Sequence, residues 1–325
     1  MPREDRLTRL LNRSEVADLV DVPALVPLLE EAFRAHSAGE LIHGQRFFSR
    51  LPGPGSSMIL APGIAPGVPA YSVKVHSKFP ASPPGIKGVL LLNDLQDGRL
   101  LAILDSTYLT AVRTGLSAAI ATHRLARSAA GRVAVVGAGV QGEFQLRYLA
   151  TLRELESVRV FDARPQQTQR YVERLGAELA VPVQGSEDIA GAVADADIVL
   201  MATWASEPIL YLDMLRPGCH VTTLGADQPH EAEVDAALIR QGLFVCDDRE
   251  LAVRQGAVGG VNLGPEAIDA ELGEIIAGRH PGRTGADEIS VYGAVGLAFQ
   301  DVVVAWQVYD SALRNDVGQD LAFLA

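Results

Sequence analysis

The sequence predicts an α/β chain of two domains: a doubly wound parallel sheet and a second, α+β domain. Three observations carry this. The apolar, largely β-branched run Val133-Ala134-Val135-Val136 leads into Gly137-x-Gly139-x-x-Gly142 and then into helical spacing through Phe144, Leu146, Leu149 and Leu152. Beyond that point strand and helix patterns alternate as far as Asp247, the order of a parallel sheet with helical crossovers. Before it, from His43 to Leu104, strand patterns lie between Pro/Gly clusters with no helical crossover, the order of hairpins.

The totals bound the function. A chain of 325 residues accommodates about two domains. A formal charge of −12 repels nucleic acid and anionic membrane at long range, so neither is expected as a partner. Cys219 and Cys246 are the only cysteines, which implies no disulfide framework and suits a reducing compartment. Met1 to Arg9 are charged rather than signal-like, and no apolar run approaches the ~18 residues of a membrane span. The expectation is a cytoplasmic protein.

In chain order, Ser14 to Ala38 reads as one helix with Leu25, Leu28, Leu29 and Phe33 on one side, Pro23 early in it and Gly39 stopping it. Strands follow at Gln45–Phe48, Ser57–Leu60, Ala70–Lys78, Gly88–Leu92 and Leu100–Leu104, forming an antiparallel or mixed sheet. Thr107 to Arg127 reads as an Ala-rich helix. After the glycine turn come strand Val158–Phe161, helix Gln166–Leu179, strands Ile198–Thr203 and His220–Leu224, a helix from about Glu231, and strand Leu243–Cys246. The last helix, Gly296 to about Leu313, is apolar on several sides and is expected to be buried against the N-terminal domain. Residues 1–127 with 300–325 are thus assigned to the substrate-binding and dimerisation domain, and 128–299 to the dinucleotide domain.

The glycine spacing has a physical logic. Gly137 permits a tight turn, Gly139 lets backbone approach a pyrophosphate, and Gly142 lets helix pack close to strand, so that the helix N–H groups face phosphate. Asp162 ends the second strand twenty residues past Gly142, where a carboxylate can hold a ribose 2′-hydroxyl. That favours NAD over NADP, although Arg164, two residues on, would accept a 2′-phosphate if it swung over. In Ala70–Lys78 the face Ser72, Lys74, His76, Lys78 is either a solvated exterior or a cationic grip for a carboxylate. Arg46 and Arg113 have the planar fork that binds a carboxylate with two hydrogen bonds, though an Arg in an Ala-rich helix is more commonly a surface residue. Asp227 stands just past the carboxyl end of a predicted parallel strand, where doubly wound folds bind ligands; as an Asp before Pro229 it equally suits a helix start. No His, Cys, Asp and Glu fall at metal-ligand spacing, so no metal is expected. The turn lacks the Lys-Ser/Thr ending of a triphosphate loop.

Four segments together resemble the ornithine cyclodeaminase/μ-crystallin family over nearly the whole chain. They are Leu109-Thr110-Ala111-Val112-Arg113-Thr114, Gly137 to Gly142, Leu224-Gly225-Ala226-Asp227, and Val295-Gly296-Leu297-Ala298-Phe299-Gln300-Asp301. The resemblance implies a Rossmann domain paired with a dimerising β domain, and a homodimer. It matches Arg46, Lys74 and Arg113 to residues holding a substrate carboxylate and Asp227 to an acid/base, with Lys74 also among the catalytic candidates. Thr114, Val140, Gln141, Asp162, Thr203 and Leu224 match cofactor contacts, and Val295 matches a substrate-lining position. The activity implied is NAD(P)H-dependent oxidoreduction at the α-carbon of a small or cyclic α-amino or α-imino acid. Ornithine cyclodeamination, or cofactor and ligand binding without turnover, are the alternatives. Pro229-His230-Glu231 replaces a Pro-Gly-Lys common in relatives, Gly293 and Ala294 replace basic or hydroxyl residues, and Ile59 falls near a Glu that would hold ornithine's distal amine. An apolar residue there cannot offset the desolvation of an ammonium.

Overall fold

Thr8 begins the first strand, β1 (Thr8–Leu11), in a computed structural model that describes residues 7–41, 46–79, 81–82, 85–226 and 230–324. The long helix expected over Ser14–Ala38 is two helices, α1 (Arg13–Leu19) and α2 (Val22–Ser37). Val20 and Asp21 are extended between them, and the Asp21 side chain accepts the Ala24 N–H at 3.2 Å. Asp21 is thus a helix cap, and Pro23 sits in the first turn, where a missing N–H breaks no hydrogen bond.

The hairpin region follows as β2 (Phe47–Arg50), β3 (Ser57–Ile64), β4 (Ala70–Lys78), β5 (Ile86–Asp94) and β6 (Leu100–Asp105), then α3 (Ser106–Leu125). The alternating part is β7 (Arg132–Val136), α4 (Val140–Leu152), β8 (Ser157–Phe161), α5 (Pro165–Glu178), β9 (Val183–Gly185), α6 (Ile189–Val193), β10 (Ile198–Met201) and β11 (His220–Thr223). It continues through α7 (Ala236–Gln241), β12 (Leu243–Cys246), α8 (Arg249–Gln255), α9 (Ala257–Gly260), β13 (Ala270–Glu271), α10 (Leu272–Ile276) and β14 (Ser290–Gly293). The chain closes with α11 (Ala298–Asn315) and β15 (Gln319–Leu321). The helix expected from about Glu231 starts instead at Ala236. His230 has a left-handed φ of +68°, Val234 pairs with Leu210 as an isolated bridge, and Asp235 supplies the cap.

Two units form. Met1–Arg113 with Leu297–Ala325 make one, and Thr114–Gly296 the other, so the division falls within α3 and ahead of α11 rather than at 127/128 and 299/300. The first unit holds a sheet in the order β15-β1-β6-β5-β4-β3-β2, antiparallel except where β1 runs beside β6. β1 and β15 are strands the sequence patterns do not announce; Arg9 ties them by donating to both carboxylate oxygens of Asp320, at 2.8 and 2.6 Å. α11 belongs to this unit: Phe299 meets Phe33 of α2 edge-on with centroids 5.1 Å apart, and Val302 to Ala305 are buried.

The second unit holds the parallel sheet β13-β12-β14-β11-β10-β7-β8-β9. Strand order reverses between β7 and β10, which puts a crevice at their carboxyl ends. β7, β10, β11, β12 and β14 carry almost only fully buried residues, as expected of strands covered on both faces.

Candidate functional site

In the first unit the site begins with the pleat of β4. Side chains alternate along a strand, and the buried face is the one bearing Ser72, Lys74, His76 and Lys78. A solvated exterior is thereby ruled out for this face. Lys74 Nζ donates to Asp301 Oδ2 of α11 at 2.6 Å, with both side chains buried. Arg113 is buried too, not the surface arginine its Ala-rich helix suggested. Its Nε lies 3.3 Å from Asp301 Oδ1 as an ion pair, and its Nη1 donates to Gln300 Oε1 at 3.0 Å. Gln300 Oε1 also accepts the Leu297 N–H, so one amide oxygen ties the guanidinium to the first turn of α11.

The charges set one another. Burial pushes the Lys74 ammonium down and the Arg113 charge adds to this; Asp301 opposes both, leaving Lys74 at about 8. Burial alone would raise the Asp301 carboxyl, but Lys74 and Arg113 outweigh it and hold the group below its usual range. The His76 imidazole is pushed down to about 3, first by burial and then by Lys74, so it is neutral at physiological pH. Arg46, immediately before β2, also acts on Lys74 and His76. Lys74 and Arg113 therefore both lean on Asp301 in one buried group, with the Arg46 charge acting on Lys74 from nearby, and the cationic side of that group suits a carboxylate ligand.

The sequence placed His76 on the candidate cationic face and Gln300 and Asp301 in a family segment, but gave none of the three a role of its own. For Asp301 a signal was available: a lone acid in the first turn of an otherwise apolar, buried helix needs a buried cation as partner. Ile59 pairs directly with His76 on the same buried face, so no carboxylate stands at that point of β3.

In the second unit the glycine turn joins β7 to α4. Gly137 has φ +100°, and a Cβ there would lie 2.5 Å from the Ala202 carbonyl oxygen. A Cβ at Gly142 would strike the Gly137 carbonyl. Both glycines are required by the protein's own packing. Gly139 is different, because a Cβ there would meet no described protein atom within 4 Å. Among the described residues no side chain caps α4, whose first-turn residues include Val140, exposed, and Gln141, half-buried. Thr114 directly precedes Gly115, where a Cβ would fall 2.7 Å from the Phe144 Cβ, so α3 passes close over α4.

Asp162 faces this turn. Its Oδ2 accepts the Ala138 N–H at 3.0 Å, and its Oδ1 accepts the Arg164 N–H at 2.9 Å and Arg164 Nε at 3.3 Å. A carboxylate has about four acceptor sites, so one remains for a hydroxyl, while the Arg164 side chain is largely exposed. Thr203 and Leu224 follow the carboxyl ends of β10 and β11, and the Thr203 N–H and hydroxyl both donate to Glu233 Oε1, at 2.6 and 2.7 Å. Val295 is buried after β14. Its N–H and that of Gly296 donate to Asp247 Oδ2 at 3.0 and 2.6 Å, so a carboxylate from the end of β12 shapes that turn. Asp227 lies outside the described residues.

The sequence profile of the ornithine cyclodeaminase/mu-crystallin family matches residues 6–316. An alanine dehydrogenase of Archaeoglobus fulgidus is 29% identical over 330 residues, covering 97% of this chain and 98% of that protein. The structure of Thermococcus litoralis Delta(1)-pyrroline-2-carboxylate reductase with NADH and L-proline superposes with a TM-score of 0.91 at 28% identity, covering 97% of this chain and all of that one. An archaeal alanine dehydrogenase dimer with bound NAD gives 0.89 at 28% identity, over 98% of this chain and 100% of that one.

Proposed function

Since the chain belongs to the ornithine cyclodeaminase/mu-crystallin family, we propose that it is an NAD(H)-dependent oxidoreductase interconverting a small or cyclic α-amino acid with its imine or keto acid. The observation that carries this reading is the buried Lys74–Asp301–Arg113 group, which holds two cations against one acid away from water. In that setting the planar Arg113 fork and the Lys74 ammonium anchor an α-carboxylate, with Arg46 adding charge. Neutral His76 lends a hydrogen-bonding edge without further positive charge. Lys74 Nζ, near 8, is also placed to hold or release a proton at neutral to mildly alkaline pH. Asp227 is assigned the proton exchange at the imine nitrogen, or at the water that attacks it.

The second unit fits a nicotinamide dinucleotide. Gly139 is the glycine the fold itself does not require, the α4 N-terminus offers N–H groups to a pyrophosphate, and Asp162 is oriented by the Ala138 N–H at the same turn. A nicotinamide bound there would supply hydride chemistry for an α-carbon. The Asp162 carboxylate accepts from a ribose 2′-hydroxyl and repels a 2′-phosphate, so NAD is preferred over NADP. Thr114, Val140, Gln141, Thr203 and Leu224 are assigned to cofactor contact, Arg164 to its ribose side and Val295 to the substrate.

Ornithine cyclodeamination is the less favoured reading, since Ile59 and neutral His76 face each other where a distal ammonium would need an acid. The assay is loss of nicotinamide absorbance with NADH or NADPH and pyrroline- or piperideine-2-carboxylate, then with pyruvate and ammonia. Steady NADH oxidation is expected, slower with NADPH. Proline and ammonia from ornithine without net change in NAD would transfer the assignment to cyclodeamination, and tight NADH binding with neither signal would make the protein a binder only. A clear NADPH preference would overturn the role given to Asp162.

We further infer a homodimer formed through the outer face of the first unit's sheet. Phe47, Leu60, Val75 and Val89 form one apolar row across β2 to β5, with Phe47 and Val89 exposed. A second copy is the expected cover, as the alanine dehydrogenase neighbour is described as a dimer. Sedimentation at twice the 34.6 kDa chain mass is expected, and a monomer at micromolar concentration would exclude it.

A further inference from the structure

We propose that Glu233 is a positioning residue for the nicotinamide half of the cofactor, setting the chain ends of β10 and β11 in the conformation that receives it. Glu233 is fully buried and carries no part of the chemistry assigned above. Oε1 accepts the Thr203 N–H at 2.6 Å and the Thr203 hydroxyl at 2.7 Å; Oε2 accepts the Thr223 hydroxyl at 2.6 Å and the Gly225 N–H at 2.7 Å. One carboxylate thus collects four donors, two from each strand end, and each oxygen faces a backbone N–H that can only donate.

The backbone of Glu233 is held as firmly. Its carbonyl accepts the Ile209 and Leu210 N–H groups, both at 3.0 Å, and Val234 beside it pairs with Leu210. Gly225 supplies an independent sign of the close fit, since a Cβ there would stand 2.5 Å from Glu233 Cδ and 2.6 Å from the Thr203 carbonyl oxygen. The clamp also reaches the glycine turn. A Cβ at Gly137 would lie 3.2 Å from the Thr203 Cγ2 methyl, so the bond that fixes the Thr203 hydroxyl also fixes the methyl set against that turn.

A purely structural link between two strand ends would not need an acid. Burying a carboxylate costs several kcal/mol before its hydrogen bonds are counted, and apolar packing often stabilises as well or better. What four charge-assisted bonds add is direction, fixing where the Thr203 and Gly225 amides and their carbonyls point. In a doubly wound sheet each half receives one mononucleotide. β7 and β8, with the glycine turn and Asp162, form the adenosine half, so β10 and β11 belong to the nicotinamide half.

The inference rests on the dinucleotide reading, and its test separates the two. The full-length protein is titrated with NADH and with ADP-ribose, which lacks the nicotinamide. Glu233→Gln keeps the side-chain shape but turns an acceptor oxygen into an NH2 group facing donors. NADH affinity is expected to fall about tenfold or more, the worth of a charge-assisted hydrogen bond, with ADP-ribose changed less than about twofold. Thr223→Val, which removes the 2.6 Å bond to Glu233 Oε2 at a residue given no cofactor contact and keeps the volume, is expected to give a smaller loss in the same direction with the protein still folded, and it serves if Glu233→Gln does not fold. Equal losses for both ligands would mean a general structural role and would overturn the proposal, as would unchanged NADH affinity in both variants. Wild-type protein that binds neither ligand would sink the dinucleotide reading itself.

Discussion

Replacing Asp301 by alanine is expected to cost about 3–5 kcal/mol of stability and most of the activity at neutral pH, because it strands two buried cations. Asp301 is what holds the Lys74 ammonium up against burial and the Arg113 charge, so without it Lys74, already at about 8, gives up its proton. Asp301→Asn separates charge from shape, since the amide fills the same space while the negative charge is gone. The sign of the pH effect follows. The folded Lys74 lies below the 10.5 of a free lysine, so the unfolded chain binds more protons between about 8 and 10.5, and this group's contribution to stability rises with pH across that window. Substrate anchoring runs the other way. It needs the ammonium, so kcat/KM for the imine should fall as pH rises through about 8, and in Asp301→Asn that fall should move to lower pH. A pH profile of kcat/KM for the two proteins checks this. An alkaline limb at the same pH in both would show that Asp301 does not govern Lys74.

The nucleotide unit was readable because its physics is local. A buried parallel strand, a glycine turn and a helix start are contiguous in the chain, and Gly137, Gly142 and Asp162 announce themselves by spacing alone. The first unit was harder for the opposite reason. The alternation of β4 showed that Lys74 and His76 share a face but not which face is buried, since that depends on α11, more than 200 residues further on. Asp301 supplies the answer, and it lay inside a quoted family segment without being assigned a role. Short elements without strong periodicity, such as β1, β13 and β15, draw their stability from sheet neighbours and leave little local trace. The break between α1 and α2 was legible in principle, because Asp21 stands two residues before Pro23, the spacing of a cap and first turn. Glu233 and Asp247 were invisible for a different reason. Asp247 acts through backbone N–H groups, and Glu233 through two such groups besides the Thr203 and Thr223 hydroxyls, and backbone N–H groups are the same in every sequence.

Asp227→Ala is expected to lower kcat by about 10²–10⁴-fold, the range of a lost general acid or base, while NADH binding stays within about twofold of wild type. Stability should change little. Asp227 itself lies outside the described residues; among those described, the next helix begins at Ala236 with Asp235 as its cap, accepting the Ala237 and Leu238 N–H groups at 3.3 and 3.0 Å. What remains for Asp227 is its place in the chain, two residues past the Gly225 amide that Glu233 holds at the carboxyl end of β11. Lys74 is the rival for the proton, since burial and the Arg113 charge lower its ammonium to about 8. The two are separable. If Asp227 moves the proton, added formate should restore part of kcat in Asp227→Ala, and the alkaline limb set by Lys74 should persist in the residual activity. If Asp227→Ala turns over at the wild-type rate, the proton belongs to Lys74, and the same residue then both anchors the carboxylate and serves the imine nitrogen.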